Sequence, residues 1–476
     1  MNLKHISNPL VTIYITNFNY GRYIKKAIDS VLAQTLQDFE LLIIDDGSND
    51  NSYTIIESYL ENPKIKAIFQ KNKGLNVTNN IALREARGQY IMRLDADDWL
   101  DPHALELLSN VLERNSSVGL VFPDYYLVNE EGHVTEQVRR HDFVDVTLLD
   151  QPAHGACTMI RCDCLREIGG YDERYSCQDG YYLWIRMIED FEVRNVNLPL
   201  FFYRQHGDSL SKNEERILST RSEIIRNMVQ RKSSKLRVLA VVAVRGPSFD
   251  KSSKSLKLFG SKFLIDWTLH AALTARRISK VVLSTPDHLI ISHVKQHSSD
   301  KLMTIERPAV LANSNTSLLD TLKHALEYVE SFGQKYDAVL QLSIESPFRN
   351  SHHIDTAIET MELFETDVVI GVRPETDNFY CHEGHGLLPF SDTNKLRFER
   401  EEIYREVGSM RLLSREQVLN DGAPSSVKIG HITVDQLGAF RLTTQLDWEL
   451  GELLINKVSV EQRPAHHIFT GKQNEL

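Results

Sequence analysis

The chain has 476 residues and a formal net charge of -11 at pH 7, with 42% hydrophobic and 25% charged residues. This length and composition suit two large globular domains, each with its own core. A chain this acidic lacks the basic surface of general nucleic-acid binders, so we expect no nucleic-acid partner.

The first residues lack the apolar core of a signal peptide, and no apolar run is long enough to cross a bilayer. We therefore expect a cytoplasmic protein. The five cysteines fit reduced thiols in that compartment. A zinc site is the alternative, but Cys162 and Cys164 have the wrong spacing and no matching second pair.

Apolar runs alternate with helical periodicities in the first part of the chain. The predicted strands and helices are residues 11–16, 23–34, 39–44, 52–60, 65–69 and 77–86. Such alternation is typical of a mostly parallel sheet with right-handed crossovers.

Residues 90–102 begin as an apolar strand and end in four acids within seven residues, including Asp95 and Asp97. The carboxyl ends of strands are where open α/β sheets bind ligands. An Asp-x-Asp pair supplies oxygen ligands for a hard divalent cation on substrate phosphates. A solvated acidic turn is the alternative, and the clustering favours the metal. Asp101 before Pro102 predicts a helix start with Asp101 as N-cap.

Asp46 follows the second predicted strand, in the run Asp45-Asp46-Gly47-Ser48. An Asp there can accept a hydrogen bond from a pyrimidine N–H, and the glycine lets the backbone come close. Asp-Gly is also common in turns. Together with the acidic stretch, however, it predicts two polar clusters on one edge of one sheet.

Residues 11–50, Gly88-Gln89-Tyr90-Ile91 and Asp95-Ala96-Asp97 resemble glycosyltransferase family 2, the inverting enzymes of the GT-A fold. The resemblance covers about residues 8–215. It implies a nucleotide-sugar donor, with a UDP-sugar favoured, and Mn²⁺ or Mg²⁺ as cofactor.

The resemblance also implies roles for individual residues. Thr16 and Asp46 match the positions that hold the nucleotide base in the family. Asp95 matches the residue that faces the ribose and donor sugar, and Asp97 matches the metal ligand.

Residues 169–173 resemble the family's glycine-rich turn, and residues 177–186 resemble its Glu-Asp motif at the start of a helix. Here the Glu is Gln178, which cannot ionise, while Asp179 remains. Inverting transfer needs a base for the attacking hydroxyl, and Asp179 is the candidate. The alternative is that Asp179 caps the helix.

Residues 203–211 resemble a family segment that closes over the diphosphate. His206 is a candidate metal ligand and Arg204 a candidate phosphate contact. A lone histidine is otherwise an ordinary surface or core residue.

An amphipathic helix is predicted at about residues 211–230, packed on the first domain, and residues 231–235 form a linker. A peripheral contact with an anionic membrane is the second interpretation, because the helix is basic. Its apolar face carries no Trp or Phe. The predicted domains are residues 1–230 and 236–476.

Residues 238–244 predict a central parallel strand, and the loop that follows carries the Gly and Lys that suit a triphosphate. Four further stretches resemble the sugar cytidylyltransferases that make CMP-activated acidic sugars. They are residues 258–268, 281–287, 307–312 and 340–349. The resemblance covers about residues 236–457 and implies a nucleotidyltransferase-like α/β domain.

The motifs of this half depart from that family. Phe249 and Asp250 replace the Lys and Gly that follow the loop serine, and an Asp there repels a triphosphate. The candidate nucleotide site is Arg245, Ser248, Lys254 and Asp447. We expect a degenerate domain that binds ligand, dimerises or recruits a partner. The alternative is an active domain that uses CTP to activate an acidic sugar.

The predicted fold is therefore α/β, with two Rossmann-like domains: a GT-A glycosyltransferase domain and a nucleotidyltransferase-like domain. The predicted function is metal-dependent inverting transfer from a nucleotide sugar to a glycan or lipid-linked glycan acceptor, in surface polysaccharide biosynthesis. A homodimer through the second domain is compatible with this prediction. The rival from another class is a non-catalytic binding or scaffold protein.

Overall fold

The structure, a computed structural model, describes residues 8–142, 149, 154–206, 214–232, 235–295, 299–313, 315–375, 377–382, 384, 386–390, 403–420 and 427–461. Parts of the predicted diphosphate segment, amphipathic helix, linker and second domain lie outside the described residues. These parts are residues 207–213, 233–234, 296–298, 314, 376, 383, 385, 391–402, 421–426 and 462–476.

The chain divides into two compact units, residues 1–224 with 377–402 and residues 225–376 with 403–476. The division falls inside one helix, Glu214–Arg231. The domain limits 1–230 and 236–476 stay a prediction.

The first unit alternates strands and helices before its strand directions become mixed. Its elements are β1 (Val11–Asn17), α1 (Gly21–Leu32), β2 (Phe39–Asp45), α2 (Ser52–Glu57), β3 (Ile65–Phe69), α3 (Leu75–Glu85), β4 (Tyr90–Asp95), β5 (Trp99–Leu100), α4 (Ala104–Arg114), β6 (Val118–Val128), β7 (Val134–Val138), β8 (Met159–Arg161), α5 (Cys162–Glu167), α6 (Asp179–Asp190), β9 (Glu192–Arg204) and α7 (Glu214–Arg231).

One sheet joins these strands in the order β3-β2-β1-β4-β8-β6-β9-β5, with β7 beside β6. The strands β3, β2, β1 and β4 are parallel, as predicted. Beyond β4 the expectation of a mostly parallel sheet is wrong, because β8 runs antiparallel to both β4 and β6. Strand β8 is only three residues long, and it lies between β4 and β6, neither of which precedes it directly in the chain.

The register of the parallel strands positions the polar residues. Thr16 of β1 pairs with Asp95 of β4, and Asn17 pairs with Asp45 of β2. Because parallel strands end at one edge, the polar residues of all three strands lie side by side there.

Successive side chains of β4 face opposite sides of the sheet, one of which is the apolar core. Tyr90, Met92 and Leu94 belong to the main apolar core of the unit. Arg93 and Asp95 therefore face the opposite side of the sheet, since successive side chains of a strand alternate. A buried arginine on that face requires an acidic partner.

The predicted start of α4 differs from the observed one. The helix begins at Ala104, with His103 as N-cap. The carboxylate of Asp101 instead accepts a hydrogen bond from the backbone N–H of His103 at 2.9 Å. Asp101 therefore closes a turn two residues before the observed N-cap, because an Asp side chain can satisfy its own local backbone.

The second unit has the same alternating character. Its elements are β10 (Val238–Ala243), β11 (Leu258–Phe259), β12 (Lys262–Phe263), α8 (Leu264–Thr274), β13 (Ile278–Thr285), α9 (His288–Val294), β14 (Leu302–Glu306), α10 (Leu318–Glu330), β15 (Ala338–Leu342), α11 (Ser351–Phe364), β16 (Val368–Glu375), β19 (Ile403–Ser414), α12 (Arg415–Leu419), β20 (Ile429–Thr433) and α13 (Gln445–Glu461). The short strands β17 (Tyr380–His382) and β18 (Leu387–Pro389), which belong to residues 377–402 of the first unit, pair as a separate hairpin.

The sheet of the second unit has the order β14-β13-β10-β15-β19-β16-β20. Strand β10 is central and buried, and it runs parallel to β13 and β15, as its apolar sequence predicts. Strand β19 is antiparallel to both neighbours, so this sheet is also mixed.

None of the helices in the described part of the chain is long and apolar enough to span a membrane. All five cysteines are free thiols. No group of three or more His, Cys, Asp and Glu side chains among the described residues is arranged as a ready metal site.

Candidate active site

Asp46 closes the loop beside β2. Its carboxylate accepts hydrogen bonds from Gln70 Nε2 at 2.7 Å and from the backbone N–H groups of Lys73 and Gly74 at 2.8 and 2.9 Å. Asp46 is 6% exposed. It therefore holds the loop at residues 70–74 against the end of β2, and its contact with a base stays a prediction.

Thr16 and Asp95 meet at the ends of β1 and β4. The Thr16 hydroxyl donates to Asp95 Oδ1 at 3.0 Å. This bond fixes the Asp95 carboxylate at the carboxyl edge of the sheet.

Arg93 connects Asp95 to Asp179. Its Nε lies 3.0 Å from Asp95 Oδ1, and its Nη1 contacts Asp179 Oδ2. The Arg93 side chain is 5% exposed and that of Asp179 is 11% exposed. One guanidinium therefore holds a carboxylate of β4 and the first residue of α6 together.

Gly155 makes room for this contact. A Cβ at Gly155 would lie 2.7 Å from Asp179 Oδ2 and 3.1 Å from both terminal nitrogens of Arg93. The backbone packs directly against the ion pair, so a side chain at this position would have to displace one of the two partners.

Asp97 and His206 form the second part of the site. Nε2 of His206 lies 3.0 Å from Asp97 Oδ2, and their side chains are 0% and 13% exposed, respectively. Tyr20 and Tyr23 pack around the imidazole, with ring centroids 5.5 and 5.6 Å away. The two predicted metal ligands are thus brought together from the loop after β4 and the residues after β9.

Asp98, which is 1% exposed, adds a third acid that the sequence analysis did not single out. Its Oδ1 accepts the backbone N–H of Arg204 at 2.8 Å. Burial, and then the carboxylates of Asp97 and Asp95, raise the pKa of Asp98 well above its usual range. Burial also raises the pKa of Asp95, against the opposing effect of Arg93 and with the help of Asp97.

These residues fit a divalent cation. Three neighbouring carboxylates repel one another in a buried environment, and Asp98 Oδ2 has no hydrogen-bond partner among the described residues. Carboxylate oxygens and an imidazole nitrogen are suitable ligands for Mn²⁺ or Mg²⁺. Asp97 and His206 would hold the ion, and the remaining ligands would come from the substrate and water.

Arg204 has several contacts of its own. Its Nε donates to the backbone oxygen of Asp97 at 2.9 Å, and its Nη1 donates to the backbone oxygens of Asn129 and Glu130. The guanidinium also lies 4.4 Å from the ring of Tyr23. Arg204 therefore fixes the acidic loop, and its contact with phosphate stays a prediction.

Asp179 is the first residue of α6, as the sequence predicts. Its side chain makes the ion pair with Arg93, and α6 has no hydrogen bond from a capping side chain. The capping alternative is therefore not needed to explain this residue. Gln178 precedes it in a left-handed conformation, with φ at 59°.

Two candidate residues of the second unit, Arg245 and Ser248, lie in the loop that follows β10. Asp287 accepts hydrogen bonds from the backbone N–H and the hydroxyl of Ser248 at 2.8 and 3.0 Å. Arg245 lies 3.8 Å from Asp250. Asp250 therefore places an acid beside the arginine that was predicted to belong to a nucleotide site.

Lys254 and Asp447 have contacts that need no nucleotide. Lys254 Nζ lies 5.2 Å from the ring centre of Trp448. Asp447 Oδ2 accepts from the Thr443 hydroxyl at 2.6 Å and the Thr444 backbone N–H at 2.6 Å, and these bonds lower its pKa to about 2. The Asp447 carboxylate therefore bonds the two residues that directly precede α13.

Sequence reasoning missed two arginines. Arg93 stands in an otherwise apolar buried strand, and that isolated charge was the available signal. Arg307 of the second unit is 5% exposed, and its Nε and Nη2 have no hydrogen-bond partner among the described residues. Burial, and then Arg245, lower the pKa of Arg307 to about 10.

Two family models match the chain. Residues 12–169 match glycosyl transferase family 2, and residues 239–414 match cytidylyltransferase. Both resemblances expected from the sequence are confirmed, together with the α/β fold class of the two units.

The chain is 40% identical over 207 residues to chondroitin synthase from Escherichia coli, covering 43% of this chain and 30% of the relative. It is 29% identical over 211 residues to hyaluronan synthase from Pasteurella multocida, covering 44% of this chain and 22% of the relative. The matched part thus spans less than a third of either relative.

A crystal structure of S. aureus TarS 1-349 in complex with UDP-GlcNAc has a TM-score of 0.40 and 15% sequence identity. The alignment covers 46% of this chain and 66% of that chain.

Metal binding at Asp97 can be measured without any assay of turnover. We expect Mn²⁺ to raise the unfolding temperature of the wild-type chain. At a Mn²⁺ concentration 100 times the dissociation constant, the free energy of unfolding should increase by about 2.7 kcal/mol. Asp97→Ala should lose this increment, whereas Asp101→Ala, in the same acidic stretch, should keep it. Equal increments in both variants, or none in the wild type, would contradict the assignment.

Proposed function

We propose that the first unit is a metal-dependent inverting glycosyltransferase, which transfers a sugar from a nucleoside-diphosphate donor to a glycan acceptor. The observation that carries the proposal is the buried contact of Arg93 with both Asp95 and Asp179 at the carboxyl edge of the sheet. The family 2 match over residues 12–169 supports the same reaction class.

The donor is proposed to lie along the ends of β2, β1 and β4. Asp46 and Thr16 line the base end of this edge, and Asp95 faces the ribose and the donor sugar. A UDP-sugar is the favoured donor, because an Asp such as Asp46 can accept from the N–H of a pyrimidine.

Asp97 and His206 are proposed to hold Mn²⁺ or Mg²⁺ beside the diphosphate. When bound, such an ion stabilises the negative charge that develops on the leaving group. Arg204 keeps the backbone of Asp97 in place, and a direct contact of Arg204 with the phosphates belongs to the same proposal.

Asp179 is proposed to accept the proton from the acceptor hydroxyl. The hydroxyl oxygen then attacks the anomeric carbon from the side opposite the diphosphate, whose bond to that carbon breaks. A single displacement of this kind inverts the configuration. Retention through a covalent intermediate would require a second positioned nucleophile.

The relatives support a proposal for the biological setting. Chondroitin synthase and hyaluronan synthase are named as synthases of polysaccharides. We propose surface polysaccharide assembly at the cytoplasmic side of the cell, on a glycan or lipid-linked glycan acceptor.

The second unit is proposed to keep the cytidylyltransferase fold without cytidylyl transfer. Asp250 next to Arg245 opposes a triphosphate, and Asp447 already bonds the residues before α13. Arg307, with unbonded buried donors, favours retention of an anion-binding function. Dimerisation through this unit belongs to the same proposal.

Asp179→Asn keeps the size of the side chain but removes the basic oxygen. We expect the rate of nucleoside-diphosphate release from UDP-sugars with Mn²⁺ to fall by about 10²–10⁴, because general bases contribute this much. Nucleotide affinity should change little. Asp163→Asn, whose side chain is 98% exposed, is the control for the same substitution elsewhere. An undiminished rate in Asp179→Asn would refute the assignment of the base.

Cytidylyl transfer by the second unit is tested by pyrophosphate release. The wild-type chain, incubated with CTP, Mg²⁺ and an acidic sugar such as N-acetylneuraminate or 3-deoxy-manno-octulosonate, should release none above background. Sustained release that depends on the acidic sugar would show an active domain and overturn this part of the proposal.

A further inference from the structure

The start of α6 carries a second polar pair next to Asp179. Oε1 of Gln178 accepts a hydrogen bond from Nε of Arg221 at 2.7 Å, and Arg221 belongs to α7. Arg221 is half-buried, and its guanidinium lies 5.1 Å from the ring centre of Tyr181. The pair is thus held by two helices and is adjacent in sequence to the proposed base.

The charge of Arg221 is not balanced by an acid. Among the described residues no carboxylate forms an ion pair with it, whereas Arg93 is shared by Asp95 and Asp179. An arginine carries five N–H donors, and the bond to Gln178 uses one. The terminal nitrogens of Arg221 have no hydrogen-bond acceptor in the part of the chain that the structure describes.

The side chain at position 178 determines whether the positive charge of Arg221 is paired with an acid. A glutamate there would pair with Arg221 and cancel it. The amide of Gln178 keeps the orienting hydrogen bond but is neutral, so the guanidinium retains a full positive charge.

The neighbouring groups do not cancel the charge either. Burial, and then Arg140, Arg93 and Arg221, lower the pKa of His154 to about 3, so this ring is neutral at physiological pH. Tyr181 offers a ring face, which favours a cation without neutralising it.

We propose that Arg221, oriented by Gln178, binds an anionic group on the acceptor, either a sugar carboxylate or a phosphate ester. A planar guanidinium with free terminal nitrogens is the usual partner of both groups. The inference rests on the proposed function, because it takes the region beside Asp179 as the acceptor side of the site.

The test compares three ligands that differ only at C6: methyl β-D-glucoside, methyl β-D-glucuronide and methyl β-D-glucoside 6-phosphate. Their affinities for the wild-type chain with UDP and Mn²⁺ are measured by ligand-observed NMR. We expect one or both anionic ligands to bind roughly tenfold or more tightly than the neutral one, and their order identifies the anion.

Two variants examine the pair from both sides. Arg221→Gln removes the cation, and Gln178→Glu supplies an acid that pairs with it. Both should reduce the preference for the anionic ligand to near unity. Arg216→Gln removes an exposed charge from the same helix without touching Gln178, and it should keep the preference. The Gln178→Glu variant keeps the test meaningful if Arg221→Gln fails to fold.

Equal affinity for all three ligands in the wild type, including no detectable binding, would overturn the proposal. A preference that survives both variants would do the same. Release of nucleoside diphosphate from UDP-sugars by the wild type, measured on the same preparation, reports separately on the proposed function. Turnover without an anion preference would therefore reject only the acceptor inference.

Discussion

The sharing of one buried guanidinium by two carboxylates is the interaction on which the site of the first unit depends. Arg93 contacts Asp95 at the end of its own strand and Asp179 at the start of α6. Removing one partner of such a buried pair costs about 3–5 kcal/mol, because a charge is left uncompensated. The register of β1 with β4 and the glycine at 155 both serve this contact, since one places Thr16 on Asp95 and the other gives the ion pair space.

Much of this arrangement could be predicted from the sequence, because it follows from strand periodicity. The parallel strands β1, β2 and β4 and their acidic ends are local features, and parallel strands must end at a common edge. Asp97 and His206 were paired by resemblance, and they lie 3.0 Å apart in the structure.

Other features depend on contacts that no local pattern records. The sheet becomes mixed beyond β4 because the three-residue strand β8 inserts antiparallel, and so short a strand has little periodicity. The partner of Arg93 is 86 residues away in the sequence. Asp101 was expected to cap α4, but its side chain closes the preceding turn, a choice that depends on neighbouring backbone geometry.

In the second unit the fold matches a family model, whereas the loop after β10 departs from the family's motif. Its core strands are as buried as those of the first unit, and a family model matches 239–414. The loop after β10 nevertheless places Asp250 near Arg245, and Asp287 holds Ser248. A hydrophobic core tolerates changes at the loops it supports, so a fold can persist after its motif has changed.

The most direct test of the account is the kinetics of Arg93→Lys. Lysine keeps the positive charge, but a single ammonium cannot replace a planar guanidinium that contacts two carboxylates on different edges. If Arg93 positions the base relative to the donor, kcat for UDP-sugar turnover should fall by roughly tenfold or more, while the KM of the donor changes little. An unchanged kcat in a folded Arg93→Lys protein would contradict the account.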